Sequence, residues 1–294
     1  MTIFEYPDSM IDRYCLGKRT LTVQSVVYGL VLSVAGLTAC TSSTPDVPSD
    51  RLNRIIEQFE RGEAAFANEH WQLTSLEHNP FRVDDLANSL TDVSTEDGSR
   101  PRMTPIARIP QEADQDFHHI VKQLLDAGVF GIVLPQVRTA PQVTKLVQAM
   151  RYPPQQGSQY PDPVGRRGWG PTGARQLWGL TNQTYAEKAD VWPLNPEGEL
   201  LAIVMIETRE AIEDIDEILS VPGLGGALIG PADLSLSLGV GTPAANGQAP
   251  EVEDATAKVG QACVTHNVIC GSFGSPDVEL RLQQGFRLFT RSSP

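Results

Sequence analysis

The chain has 294 residues, 40% hydrophobic and 20% charged, a balance that supports a sizeable buried core and excludes general disorder. Its 36 acidic against 23 basic side chains give a formal charge of -13 and a pI near 4.8. A molecule of that sign repels phosphate backbones, and no basic, aromatic-interleaved stripe offsets it, so a nucleic-acid partner is excluded.

Residues 1–50 read as a leader. Lys18 and Arg19 precede an apolar run from Leu21 to Leu37 that ends in Leu37-Thr38-Ala39-Cys40, which resembles a bacterial lipoprotein signal. In such a signal Cys40 takes the lipid anchor and the polar stretch Thr41 to Asp50 is the tether. The long stretch ahead of Lys18 departs from that pattern, and the competing reading is a fortuitous apolar extension on a cytoplasmic enzyme. The four cysteines, Cys15, Cys40, Cys263 and Cys270, form no CxxC or Cys/His cluster. Neither a zinc site nor a disulfide framework is expected from them, and Cys263 and Cys270 read as packed thiols.

From Arg51 to Pro294, short β-rich runs alternate with helical stretches, as in successive βα units. The spacing predicts strands over Trp71–Leu76, Thr104–Ile109, Phe130–Pro135, Leu200–Ile206, Gly226–Ile229, Val268–Ser272 and Phe286–Thr290. Ala64–Ala67 is an eighth candidate, but the link from there to Trp71 is too brief for a crossover helix, so the first unit is curtailed. Helices are expected over Val83–Leu90, Asp114–Ala127, Ala140–Met150, Arg209–Leu219, Val252–His266 and Asp277–Gln284. Gly128 stops one of them and Pro141 starts the next.

Between Arg151 and Glu199 lies a proline- and glycine-rich insertion holding Trp169, Trp178 and Trp192, longer than an ordinary barrel loop. It reads as an ordered arm or lid. Its Arg166, Arg167 and Arg175 could greet an anionic substrate at the barrel mouth, although solvated surface charge accounts for most of them. The fold expected is an α/β, (β/α)8 TIM barrel in which the chain stops directly after the last strand, without a final outer helix.

Leu200–Ile206 has the composition of a buried parallel strand, and Glu207 follows at its carboxyl end. The next strand runs into Gly230-Pro231-Ala232-Asp233, which delivers Asp233 to the same mouth. Adjacent strands lie close enough for both carboxylates to hold one ion. With no thiol or imidazole nearby this is a hard oxygen site, suited to Mg2+ or Mn2+, with Co2+ or Zn2+ able to substitute. Each residue also has a plainer explanation, Glu207 as a helix-start carboxylate and Asp233 as a turn residue.

Ile206-Glu207-Thr208-Arg209-Glu210-Ala211, Val221-Pro222-Gly223-Leu224 and Ile229-Gly230-Pro231-Ala232-Asp233-Leu234-Ser235 together are similar to the metal-dependent HpcH/HpaI aldolase family. The likeness begins at Glu77-His78-Asn79-Pro80-Phe81 and continues through Ala107-Arg108-Ile109-Pro110, Leu124–Gly128 and Arg151-Tyr152-Pro153-Pro154. The resemblance implies Glu207 and Asp233 as metal ligands, and a 2-oxo acid substrate whose pyruvate half is stabilised as an enolate. It implies His78 as the residue moving the 4-hydroxyl proton through water, and Arg108 as support for the keto oxygen. The backbone N–H groups of Ala232 and Asp233 match those that hold the substrate carboxylate. Asp126 matches a position near a neighbouring subunit's site, and a homo-oligomer, trimer or hexamer, is implied.

Three departures bear on turnover. An acidic partner expected three residues before the histidine is Ser75, with Glu77 or another chain as the candidate to compensate; a glutamine common two residues before the metal glutamate is Met205; and both ends of the barrel are curtailed. The alternatives are a citryl- or malyl-CoA lyase, for which no basic CoA-phosphate site is evident, and a non-catalytic lipid-anchored barrel that keeps the pocket.

Overall fold

A computed structural model describes residues 51–78, 82–93, 100–241, 249–274, 277–291 and 293. The leader, with Cys15 and Cys40, lies outside the described residues, as do Asn79, Pro80 and Phe81 of the histidine motif. Among the described residues no helix is long and apolar enough to cross a membrane.

In chain order the elements are α1 (Arg54–Glu60), β1 (Ala65–Phe66), β2 (Trp71–Ser75), α2 (Val83–Val93), β3 (Thr104–Arg108), α3 (His118–Ala127), β4 (Gly131–Leu134) and α4 (Ala140–Met150). Then follow α5 (Thr172–Leu177), α6 (Asn182–Lys188), β5 (Leu201–Ile206), α7 (Arg209–Glu213), α8 (Ile215–Leu219), β6 (Leu224–Ile229), α9 (Pro231–Leu238), α10 (Pro250–His266), β7 (Ile269–Ser272), α11 (Val278–Gln283) and β8 (Leu288–Phe289). The strands form one sheet in the order β1-β8-β7-β6-β5-β4-β3-β2. Every pairing in it is parallel. A parallel bridge from Ala67 to Trp71 joins the two edge strands and nearly closes a barrel. No helix separates β1 from β2, as the short link requires.

Alternation along the strands sorts the core into two layers. Ile106, Val133, Leu201, Ile203, Met205, Leu228, Ile269 and Leu288 form the inner cluster, while Ala107, Ile132, Leu134, Ala202, Val204, Ile206, Ala227 and Cys270 pack outward against the helices. Helix α1, which the sequence reading did not anticipate, puts Ile55 and Ile56 into the inner cluster. Its Asn53 cap accepts from the N–H groups of Ile55 and Ile56. The Arg54 N–H donates to Thr104 Oγ1 at the start of β3 over 2.7 Å. The helix therefore plugs the end of the barrel at which the strands begin.

Several boundaries moved for local reasons. The helix expected from Asp114 starts only at His118, whose N–H is taken by Asp116 Oδ1 at 3.2 Å. The helix expected over Arg209–Leu219 breaks at Asp214 into α7 and α8. Helix α4 spans the expected residues, its start fixed by Gln142 Oε1, which accepts from the Thr139 N–H at 3.1 Å.

The arm is ordered, but not as a lid. Trp178 stacks on Phe130 with ring centroids 3.9 Å apart and donates from Nε1 to the Gly128 carbonyl at 3.0 Å. Arg167, expected as a solvated charge or an anion receptor, is 1% exposed. It donates to Asp126 Oδ1 at 2.8 Å and Tyr185 Oη at 2.9 Å. These contacts are with α3 and the segment leading into β4, so the arm braces the entry side of the barrel. The packed-thiol reading also needs correcting, because Cys263 and Cys270 are joined in a disulfide, their Cα atoms 5.8 Å apart. Asn267, at a φ of 55°, turns the chain so that the last turn of α10 meets β7.

Candidate active site

The strand alternation that puts Ile106, Leu201, Ile203, Met205 and Leu228 inside continues past the strand ends. Two residues beyond Ile106 is Arg108, two beyond Met205 is Glu207, and two beyond Leu228 is Gly230. On β2 the same phase runs from Trp71 through Leu73 and Ser75 to Glu77. All of these therefore meet at the carboxyl end of the barrel, where βα loops build sites in this architecture.

Glu207 is 1% exposed, and one of its oxygens accepts from the Gln136 N–H at 2.7 Å. Its other oxygen lies so close over Gly230 that a Cβ there would come within 2.4 Å of it. Gln136 itself has a φ of 55°, which turns its amide toward the carboxylate. Ile206 pairs with Ile229 across β5 and β6, so Glu207 lies level with Gly230, and Asp233 follows three residues later in the first turn of α9. Burial pushes the Glu207 carboxyl up to about 7, opposed by the Gln136 hydrogen bond and reinforced by the charges of Glu77 and Asp233. The Glu77 carboxyl is likewise raised by burial, against the pull of Arg108 and His78. Burial and like charge thus act together on Glu207 and on Glu77.

Arg108 is the cation of this cluster. Its Nη1 lies 2.8 Å from Glu77 Oε2, and its Nε and Nη2 both donate to Ser75 Oγ, at 3.1 and 2.8 Å. Its guanidinium stands 5.4 Å from the centre of the Phe273 ring, and Nη1 reaches Met205 Sδ at 3.6 Å. The two departures at positions 75 and 205 therefore meet on the same side chain. Ser75 serves as an acceptor for Arg108 but brings no charge, and Glu77 supplies the carboxylate.

His78 sits at the rim, its side chain 65% exposed and its Nε2 3.5 Å from Glu77 Oε2. Asp233 is half-buried in the first turn of α9, where the N–H groups have no carbonyl upstream within the helix. Ala232 is exposed in the same turn. Gln136 and Phe273 were not among the residues singled out for a site role. The period-2 phase of β7 was the signal that could have found Phe273, whereas Gln136 acts through backbone at a positive φ and leaves little trace in sequence. Among the described residues no third His, Cys, Asp or Glu completes a ligand cluster with Glu207 and Asp233.

Comparison with known proteins identifies the family and the fold. A family profile described as HpcH/HpaI aldolase/citrate lyase matches residues 64–287. A 2-keto-3-deoxy-L-rhamnonate aldolase of Klebsiella pneumoniae is 35% identical over 60% of this chain and 57% of its own length. One of Salmonella schwarzengrund is 33% identical over 68% of this chain and 63% of its own length. The chain thus spans less than two thirds of these relatives. Among solved structures, an HpcH/HpaI aldolase from Desulfitobacterium hafniense shares the fold at a TM-score of 0.64 and 21% identity, covering 81% of this chain and 90% of the other. An HpcH/HpaI aldolase/citrate lyase family protein from Burkholderia cenocepacia has a TM-score of 0.59 at 27% identity, over 76% and 79% of the two chains. A profile that takes in β1 through α11 leaves one conclusion: the chain belongs to the HpcH/HpaI aldolase/citrate lyase family.

Proposed function

We propose that the chain is a divalent-metal-dependent aldolase that cleaves or forms 4-hydroxy-2-oxo acids, with pyruvate as the enolate partner. The observation that carries this reading is the buried Glu207 carboxylate at the barrel mouth, one oxygen held by the Gln136 N–H and the other over Gly230, with the charges of Asp233 and Glu77 acting on it. Glu207 with Asp233 fits a cation. The donors are all oxygen, the backbone at Gly230 makes room for the Glu207 carboxylate, and Mg2+ or Mn2+ suits that set, with Co2+ or Zn2+ as substitutes. When bound there, the ion supplies Lewis acidity to the oxygens of the 2-oxo acid.

The chain's own residues do the rest. The first-turn N–H groups of Ala232 and Asp233 hold the substrate carboxylate at the start of α9. Arg108, fixed by Ser75 and Glu77, presents its guanidinium to the keto oxygen, where negative charge develops as the carbon–carbon bond breaks. His78, at the rim and beside Glu77, takes the 4-hydroxyl proton through a water and returns one in the synthetic direction. The aldolases that resemble this chain are named for a 2-keto-3-deoxy sugar acid, so hydroxylated aldehydes are the first partners to test.

Assay of pyruvate release from 2-keto-3-deoxy sugar acids, beside a set of acyl-CoA thioesters, tests this reading. Turnover of the free oxo acids that is lost with chelator is the expected outcome. Preference for thioesters, or turnover indifferent to chelation, contradicts it. We also propose a homo-oligomer, trimer or hexamer, supported by the exposed Trp169 and Val164 of the arm and checked by light scattering. A lipid anchor at Cys40, supported by the leader sequence, is checked by acyl labelling.

A further inference from the structure

Independently of the activity, the geometry around Cys263 and Cys270 points to where this protein acquires its fold. We infer that the two cysteines are closed into a structural disulfide while the chain folds in an oxidising compartment. Cys263 lies in the last turns of α10 and Cys270 is the second residue of β7, both in the layer between barrel and helices. They are 1% and 0% exposed. Their Cα separation of 5.8 Å falls in the range a disulfide spans without backbone movement.

The surroundings fix this approach. The turn between them is set by Asn267 in the left-handed region and by the Val268 N–H, which donates to the Cys263 carbonyl at 3.0 Å. One turn back along α10, Gly260 is so close to the Gln284 carbonyl that an added Cβ would come within 2.3 Å of it. The helix is therefore packed directly on the turn between α11 and β8, which brings Cys263 against β7.

Burial then settles the timing. Thiol–disulfide exchange needs in-line access of one sulfur to another, and neither sulfur can be reached once α10 is packed. The redox state of the pair is set by the medium in which the chain folds. Closing it removes two protons and two electrons from the thiols, and both pass to the disulfide of a donor, a protein disulfide or an oxidised small thiol, which leaves as the dithiol. Such donors prevail outside the reducing cytosol. The leader read from sequence, a basic pair followed by an apolar run to Cys40, is the kind of segment that carries a chain there, and it is separate from the disulfide as an observation.

The test is made on the full chain. A tryptic peptide from Val259 to Arg281 holds both cysteines and no other. Cells making the full chain are quenched in acid, the protein is denatured and treated with N-ethylmaleimide before any reduction, and the peptide is weighed. The expected result is an unlabelled peptide, lighter by two hydrogens than the dithiol, that takes up two labels only after reduction. Two labels without reduction would overturn the inference. The compartment is tested with Leu30→Arg, which breaks the apolar run: this variant is expected to carry two labels, and an unlabelled, oxidised peptide from it would overturn the export route. Reduction in urea followed by refolding is expected to lower the Tm of the wild type by roughly 5 °C. It should leave the Cys263→Ala/Cys270→Ala variant unchanged, and equal insensitivity of the wild type would contradict a structural disulfide.

Discussion

Two buried glutamates flank the same strand, and their surroundings differ in a way that separates framework from function. Glu199 stands just before β5 and Glu207 just after it, and burial raises the carboxyl of both. At the entry end the protein supplies counterions: Arg51 at 3.7 Å and Lys188 at 3.5 Å flank Glu199, and the Asn53 N–H donates to it at 2.9 Å. At the exit end Glu207 accepts, among the described residues, from the Gln136 N–H, and the charges of Glu77 and Asp233 act on it against that of Arg108, which is itself paired with Glu77. The first arrangement ties α1 and the arm to the barrel. The second leaves negative potential for something outside the chain to neutralise.

Substitution at the two glutamates breaks that comparison most sharply. Glu207→Gln keeps the shape and removes the charge; kcat/KM is expected to fall at least about 10²–10³-fold, whereas Glu199→Gln stays near wild type. Steady-state assay of pyruvate release measures both. Arg108→Lys, which cannot hold Ser75 and Glu77 with a fork, is expected to lower kcat by roughly 10²-fold with little change in KM.

Stability should respond in the opposite sense at the two ends. Glu199→Ala leaves Arg51 and Lys188 without their buried partner and is expected to cost about 3 kcal/mol in urea unfolding. For Glu207, a carboxyl moved from 4.5 to about 7 in the folded chain means that the native state holds more protons than the unfolded state between those values. Stability in chelator therefore falls as pH rises from about 4.5 to about 7, by on the order of 3 kcal/mol. Glu207→Gln removes that slope and raises the Tm at pH 8, so a slope unchanged in the variant would assign it to other groups. The smallest effect is expected at Ser75→Ala, which takes one acceptor from Arg108 and should cost about 1 kcal/mol of transition-state stabilisation, roughly fivefold in kcat/KM.

Much of the barrel was legible in sequence because its signal is local and repeated. Leu201–Ile206 is apolar on both faces, and the inward phases of β3 and β5 lead on to Arg108 and Glu207. Glu207, Asp233 and Arg108 could be placed at one mouth for that reason. What escaped depends on contacts distant in sequence. Helix α1 is short and defined by its fit under β3 and β5, and Arg167 looks solvated until Asp126 and Tyr185, 41 and 18 residues away, are brought to it. The cysteines escaped for a related reason. A spacing of seven residues across a helix end and a strand start says nothing until the Asn267 turn is known. Gln136 was missed because it acts through its backbone just past β4, where motif reading has no side chain to follow.

The most direct test of the central claim is calorimetric titration of Mn2+ into the chelator-stripped wild type, Glu207→Gln and Glu199→Gln. Binding of one ion per chain is expected in the wild type and in Glu199→Gln, with proton release near neutral pH, and none in Glu207→Gln. Undiminished Mn2+ affinity in Glu207→Gln would contradict the account, since the charge left open at the exit of β5 would then have nothing to do with the ion.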